Sequence, residues 1–315
     1  MRILFVTATR IGDAVLSTGL LSHLTQRFPE ARLTIAAGPV AAPLFEAVPG
    51  LERLIVLHKR RLSLHWLALY ARTLGRRWDL VVDLRGSALA WLLRAGERRV
   101  MAKGDPREHR VRQLARLFGL DPPPSPVIWT APRHDRAAEA LVPPGGPVLA
   151  IGPAANWRGK EWRAERFAEL ARRLTMPDAP FAAARVAVLA AEHERAQAAP
   201  VLAALPSGRV IDLVGRTDLL TAAAVLRRCA LFIGNDTGLM HVAAAAGTPA
   251  LGLFGPSAVE QYAPWGRLTA VARTEVTYPP GYDYRTTDTL MDGLSVEAVE
   301  TAARELWRRA VSEAA

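Results

Sequence analysis

The chain has 315 residues, half of them hydrophobic, and carries 40 Lys plus Arg against 30 Asp plus Glu, a formal net charge of +10. That length exceeds an ordinary single core and points to two domains. No apolar run reaches the roughly 18 residues of a membrane span, the opening residues lack the apolar stretch of a secretory leader, and a single cysteine, Cys229, excludes a disulfide framework or thiolate metal site. A cytoplasmic protein is expected. The charge is uneven: residues 1–142 hold 22 Lys plus Arg against 12 Asp plus Glu, whereas residues 143–315 hold 18 of each. A basic first half attracts nucleic acid, anionic lipid or a phosphorylated glycan, and charge alone does not choose among them.

Residues 2–9 (RILFVTAT) read as a buried strand, and Arg10, Ile11, Gly12 and Asp13 follow as a loop. Leu16, Leu20, Leu24 and Phe28 then recur four apart on one helix face, and Pro29 ends the helix. Further apolar runs at 33–37, 54–57 and 80–84 read as strands, with a helix-length stretch at 63–77. Strands alternating with helices predict a parallel sheet with right-handed crossovers. Between 120 and 146 the chain accumulates prolines at 122, 123, 124, 126, 132, 143 and 144, the composition of a linker. The predicted domains are therefore 1–142 and 147–294. In the second, strands at 148–151, 186–190, 210–214, 231–233 and 250–254 alternate with helices near 164–174, 192–205 and 218–228. A last helix, 295–312, carries Val296, Val299, Ala303 and Leu306 on one face, which could pack back on the first domain.

Several familiar site motifs are missing. Neither G-x-G-x-x-G nor G-x-x-x-x-G-K-[ST] occurs, which disfavours a dinucleotide oxidoreductase or a P-loop kinase. Without H-E-x-x-H, paired C-x-x-C or G-x-S-x-G, the zinc and serine hydrolase readings lack their chemistry. There is also no Asp-x-Asp pair to hold a divalent metal against a diphosphate, so helix termini and side-chain cations would have to meet such a charge.

Against that background a few residues stand out. The stretch 231–255 (LFIGNDTGLMHVAAAAGTPALGLFG) reads as strand, tight loop, helix, strand. Its loop would leave the carboxyl edge of a sheet and aim a helix N-terminus at an anionic ligand. An ordinary crossover explains the apolar runs but not why Asp236, Thr237 and His241 crowd an Ala-rich helix start. Asp13 opens the first helix, where capping is its ordinary role; a carboxylate there can also accept a proton from an incoming hydroxyl. Lys160 sits between Trp157 and Trp162 in a small-residue loop after a strand and suits a diphosphate, with Arg158 a second cation beside it. Glu192 follows the next strand, where a carboxylate can bind ribose hydroxyls or simply start a helix. The cluster His58, Lys59, Arg60 and Arg61 leads into Leu62, Leu64, Trp66, Leu67 and Leu69, either a core-packed helix or a membrane contact.

Together, R-x-G-D at residues 10–13, N-W-x-x-K-x-W at 156–162 and N-D-T-G-L-M-H-x-A-A-A-x-G-T-P-x-x-x-L-F-G-P at 235–256 resemble the ADP-heptose:lipopolysaccharide heptosyltransferases, glycosyltransferase family 9. The resemblance spans nearly the whole chain. It implies a GT-B fold, two Rossmann-like doubly wound domains facing a central cleft, with the donor held mainly by the second and the acceptor by the first. It further implies Asp13 as general base, Lys160 at the donor diphosphate and sugar, Glu192 at the ribose and Asp236 at the sugar hydroxyls. Thr237, Gly238, Leu239, Met240 and His241 then match the diphosphate and nucleoside contacts. Arg10, Lys59, Arg60 and Arg61 are the acceptor-side candidates. The implied reaction is inverting transfer of heptose from ADP-heptose to a lipopolysaccharide inner-core acceptor, with no cofactor and no metal. The implied partners are a nucleotide-sugar donor and an anionic glycolipid, with peripheral inner-membrane contact, no nucleic acid and a monomeric state. One departure is that residues 282–290 lack the cysteines many members carry before the last helix. The alternatives are a GT-B transferase using another nucleotide sugar or glycan acceptor, or a non-catalytic polyanion-binding protein.

Overall fold

At the centre of the first sheet lies β1 (Arg2–Val6), whose Ile3, Leu4, Phe5 and Val6 are all fully buried, as expected of a parallel strand covered on both faces. The computed structural model describes residues 1–59, 61–278, 281–283 and 286–314 and divides into two units, Met1–Trp129 and Thr130–Ala315. After β1 come α1 (Ile11–Arg27), β2 (Arg32–Ala37), β3 (Leu51–Val56), α2 (His65–Thr73), β4 (Trp78–Asp83), α3 (Leu89–Leu92), β5 (Ala95–Val100) and α4 (Arg110–Arg116). The strands pair in parallel in the order β3-β2-β1-β4-β5. Strand order reverses between β1 and β4, so the start of α1 lies at a switch point, the usual ligand crevice of such sheets; the chain is already helical from Ile11, so Asp13 stands in the first turn of α1 and not in the loop expected at 10–13. Leu16, Leu20 and Leu24 of α1 are buried, as their four-residue spacing predicts. The sequence reading missed β5 (AGERRV) because it is an edge strand, partly buried and rich in charge.

Part of the expected linker belongs to the first unit. Val127 N–H donates to Thr18 Oγ1 at 2.9 Å, and a Cβ on Gly19 of α1 would meet Pro124 O at 2.3 Å. The proline stretch is thus a strap laid against α1, and the glycine makes room for its backbone.

The second unit begins with α5 (Pro132–Leu141) and continues through β6 (Val148–Gly152), α6 (Ala164–Leu174), β7 (Arg185–Val188), α7 (Arg195–Leu202), β8 (Val210–Asp212) and α8 (Leu219–Arg227). It closes with β9 (Leu231–Asn235), α9 (Gly238–Ala245), β10 (Ala250–Phe254), α10 (Val259–Tyr262), β11 (Thr269–Arg273) and α11 (Val296–Ala314). The boundary falls before α5, not between 142 and 147, because α5 buries Ala138 and His134 and packs on α8. Six parallel strands run in the order β11-β10-β9-β6-β7-β8. Phe167, Leu170, Ala171 and Leu174 of α6 join Val299, Ala303 and Leu306 of α11 in one core. The apolar face of the last helix packs within its own unit, against α6, β10 and β11. Among the described residues no helix is long and apolar enough to cross a membrane.

Candidate functional site

β6 and β9 are neighbours, and the strand order of the second sheet reverses between them. The loops at their carboxyl ends therefore meet at the switch point. One carries Lys160 and the other Asp236, residues 76 positions apart in sequence that form an ion pair. Lys160 keeps 21% of its side chain exposed, while Asp236 keeps 7%. A buried carboxylate would be costly alone; the ammonium beside it offsets that cost.

What holds the two loops together is Asn235, the last residue of β9, which is fully buried. Its Nδ2 donates to Pro153 O at 2.8 Å, and its Oδ1 accepts from Trp162 N–H at 3.1 Å. Only a short amide can serve both loop groups from this position. Asp236 N–H in turn donates to Leu253 O of β10 at 3.0 Å.

A second set of bonds clamps the Lys160 loop from the segment before α11. Arg158 donates to Glu161 Oε1 and to Asp288 Oδ1, both at 2.8 Å. Arg163 grips Asp292 through Nε and Nη2 at 2.6 Å each and reaches Asp288 at 3.1 Å. Leu290 N–H donates to Gly159 O at 3.2 Å, and Trp162 Nε1 donates to Leu294 O at 2.8 Å. The Arg158 hydrogen bond is the main cause that holds the Asp288 carboxyl down at about 2. Burial pushes the Glu161 carboxyl up, against the opposing pull of Arg158.

Aromatic rings wall the same place. The Lys160 ammonium lies 5.7 Å from the Trp157 ring centre, a cation–π contact. Tyr278 stacks on Trp157 at 6.3 Å, and Tyr282 meets it edge-on at 5.8 Å. Burial, and after it the negative charge of Asp236, raises the Tyr278 hydroxyl above its ordinary range. Gly159 fits because a Cβ there would lie 2.2 Å from the Trp157 ring. The Tyr282 hydroxyl is buried without a hydrogen-bond partner among the described residues.

Thr237 is the N-cap of α9, but its side chain makes no capping hydrogen bond, so the first-turn N–H groups beyond it remain available to an anion. Gly238 and Leu239 are half-buried beside it. Met240 is fully buried, its sulfur 2.4 Å from where a Cβ on Gly252 would lie, so its side chain seats α9 on the sheet, while its backbone N–H belongs to the first turn. His241 is buried as well. Glu192 follows β7 at the same sheet edge, 69% exposed and paired with Arg195 at 3.2 Å. Arg195 also bonds Asp212 at 2.8 Å. Among the described residues no His, Cys, Asp and Glu side chains cluster as a metal site.

In the first unit Asp13 occupies the first turn of α1, whose N-cap is Arg10 with extended backbone. Its half-buried carboxylate has no hydrogen-bond or ion-pair partner among the described residues and makes no cap. Arg10 is exposed after β1, and Lys59 and Arg61 are exposed after β3. Two strand spacings, about 10 Å, separate β1 from β3. Arg60 lies outside the described residues.

Sequence reasoning missed Asn235 as a staple and Asp288 and Asp292 as clamps. Asn235 opens the N-D-T-G motif and was visible as part of it. The two aspartates find their arginines from 125 to 130 residues away, with no local signal.

The family model described as glycosyltransferase family 9 (heptosyltransferase) matches residues 84–289. Lipopolysaccharide heptosyltransferase 2 of Salmonella typhimurium is 24% identical over 319 residues, covering 88% of this chain and 89% of its own. A glycosyl transferase family 9 structure from Veillonella parvula superposes with a TM-score of 0.78 at 21% identity, covering 98% of this chain and 97% of that one. The E. coli ADP-heptose LPS heptosyltransferase II structure gives 0.74 at 21% identity, covering 98% and 99%. These neighbours share the two Rossmann-like units of the GT-B class, and with the family match over most of its length the chain belongs to glycosyltransferase family 9 and is a glycosyltransferase.

Proposed function

We propose that this glycosyltransferase moves a heptose from ADP-heptose to a lipopolysaccharide inner-core acceptor, by inversion and without a metal. The observation that carries the reading is the Lys160–Asp236 pair at the switch point, beside the open N-terminus of α9. A diphosphate arriving there competes with Asp236 for the lysine. Lys160 and the first-turn N–H groups at Thr237, Gly238 and Leu239 then take the diphosphate, and Asp236 is freed to accept hydrogen bonds from sugar hydroxyls. Glu192 is assigned to the ribose, and His241 supports the nucleoside side of α9.

In the reaction an acceptor hydroxyl oxygen bonds to the anomeric carbon from the face opposite the diphosphate. The carbon–oxygen bond to the diphosphate breaks, its electron pair leaves with ADP, and Asp13 takes the hydroxyl proton. A single displacement of this kind inverts the anomeric centre. The negative charge gained by the leaving diphosphate is met by Lys160 and the α9 terminus, which is why no metal is invoked. Arg10, Lys59, Arg60 and Arg61 are assigned to an anionic glycolipid, in keeping with the basic first half of the chain. The reading makes the protein a cytoplasmic monomer working at the leaflet that holds a lipid-linked acceptor.

Names of the relatives support the sugar and the acceptor. The test is turnover with ADP-heptose against UDP- and GDP-sugars, with and without a chelator, and anomeric assignment of the product by NMR. Transfer from ADP-heptose with inversion, unaffected by chelator, is expected. Preference for another nucleotide sugar selects the alternative donor, retention removes the single displacement, and loss of activity with chelator removes the metal-free mechanism.

A further inference from the structure

In the first unit α2 is apolar on two faces. Leu69 and Thr73 are buried, with Trp66 and Tyr70 packed partly against the same core. On the other side Leu64, Leu67, Ala71 and Leu74 follow one another at spacings of three and four, which aligns them on one helix face. All four are exposed, Leu67 at 63%. The neighbouring α3, which α2 touches, does the same: Leu89 and Ala90 are buried while Trp91 and Leu92 are 68% and 62% exposed. Arg98 fixes that presentation by donating to Ala90 O at 2.8 Å and Leu93 O at 2.7 Å, the carbonyls at the end of α3.

The charge around these residues is predominantly positive, with Glu52, paired to Arg76, and Glu97, paired to Arg99, at its margins. Residues 53–78 contain seven Lys plus Arg and no Asp or Glu, and residues 84–96 contain two Arg and no acid. Arg61, Arg72, Arg77 and Arg94 are exposed. Soluble proteins seldom leave leucine and tryptophan this exposed on adjoining helices without a partner. A second copy of the chain would bring two basic rims together, and that repulsion opposes self-association. An anionic bilayer satisfies both features, taking the apolar side chains below its headgroups and the cations among them. Tryptophan suits that boundary because its ring is apolar and its N–H is not.

We infer that the outer faces of α2 and α3 form a docking surface for an anionic lipid bilayer. This deepens the proposed function, because a lipid-linked acceptor is found at such a surface, but it needs neither donor nor acceptor to be tested. The full chain is co-sedimented with vesicles of phosphatidylethanolamine and phosphatidylglycerol, and with vesicles of phosphatidylcholine alone, at low and high salt. Binding is expected to the anionic vesicles and to fall with salt. The pair Leu67→Ser and Trp91→Ala should lower the partition coefficient by about tenfold or more. Arg72→Gln and Arg94→Gln should each lower it by about fivefold. All four side chains are exposed, so thermal midpoints and turnover on a water-soluble, deacylated acceptor should stay at the wild-type level.

Equal binding by the apolar variants overturns the inference, as does equal binding to neutral vesicles. A monomer–dimer equilibrium abolished by Leu67→Ser, without vesicle binding, overturns it too and assigns the face to a second copy. If the protein proves to use a different donor or acceptor while the vesicle results hold, the proposed reaction fails and the docking surface stands.

Discussion

The loop after β1 and the loop after β6 hold the same place in their sheets, each leaving the first strand of its series beside a reversal of strand order. They are held very differently. After β6, Lys160 is paired with Asp236, Asn235 bonds to both flanks of the loop, and Arg158 and Arg163 tie it to Asp288 and Asp292. After β1, the carboxylate of Asp13 has no partner among the described residues. A site for a charged ligand gains from fixed, mutually neutralising groups that exchange partners when the ligand arrives. A general base gains from the opposite condition, since a carboxylate already bonded to a cation is a poor proton acceptor.

The contrast breaks most sharply at Asp13. Asp13→Asn should lower turnover by about 10² to 10⁴ while leaving donor affinity unchanged. Calorimetric titration with ADP alongside initial rates checks both halves, and near-normal turnover would end the base assignment. Lys160→Ala should act on both quantities, weakening ADP by about 10- to 100-fold as a charged hydrogen-bond partner is lost. Part of that loss would come from the Asp236 carboxylate left facing the diphosphate. The double variant Lys160→Ala with Asp236→Asn should therefore bind ADP more tightly than Lys160→Ala alone. A double variant that is weaker still would mean the pair does not exchange partners with the donor.

At Asn235 the comparison moves from chemistry to scaffolding. Asn235→Ala strands the Pro153 carbonyl and the Trp162 N–H in a buried place, at a cost of about 1–3 kcal/mol. For a unit of this size each kcal/mol lowers the thermal midpoint by about 2–4 °C. The donor affinity should drop with it, because the Lys160 loop loses its tie to the strand that carries Asp236. A lowered midpoint with unchanged ADP binding would leave Asn235 with stability alone.

How much of this was legible beforehand follows from the range of each interaction. The alternating series of strands and helices was readable because central parallel strands such as β1, β6 and β9 are apolar throughout. Of the four edge strands, β3 and β8 still showed short apolar runs at 54–57 and 210–214, whereas β5 is broken up by Glu97, Arg98 and Arg99 and β11 by small and polar residues, so neither carries such a run. Prolines at 122–126 looked like a linker because composition reports backbone stiffness, not whether the stiff segment lies against a helix; Gly19 decides that from over a hundred residues away. At the site, Lys160 and Asp236 stood out through their motifs, whereas the motif did not show that the Met240 side chain packs into the core. The clamp made by Asp288 and Asp292 could not be read, since an acid in a polar segment is ordinary until its distant arginine is known. The finding that the chain is a family 9 glycosyltransferase likewise displaces the non-catalytic polyanion-binding alternative, which the basic first half alone could not do.

The clamp gives the smallest predicted effect, and it is recognisable by its pH signature. Asp288 falls from 3.8 to about 2 on folding, so its contribution is complete above pH 3.8 and disappears as pH drops through about 2. Glu161 is shifted the other way by burial, so whatever it contributes is present below its unfolded value of 4.5 and is lost as pH rises past its folded one. On acidification Glu161 therefore protonates first, and Arg158 keeps Asp288 as its charged partner until the lowest pH. Asp288→Asn should lower the thermal midpoint slightly at neutral pH, with the gap to wild type closing between about pH 4 and pH 2. Glu161→Gln should raise the midpoint slightly at neutral pH, and its gap should close on acidification already above pH 4. Melting curves from pH 7 to about 2 distinguish the two. A gap for Asp288→Asn that persists at the acid end would mean that residue 288 acts through shape and neutral hydrogen bonds, and that the ion pairs with Arg158 and Arg163 contribute nothing to holding the Lys160 loop.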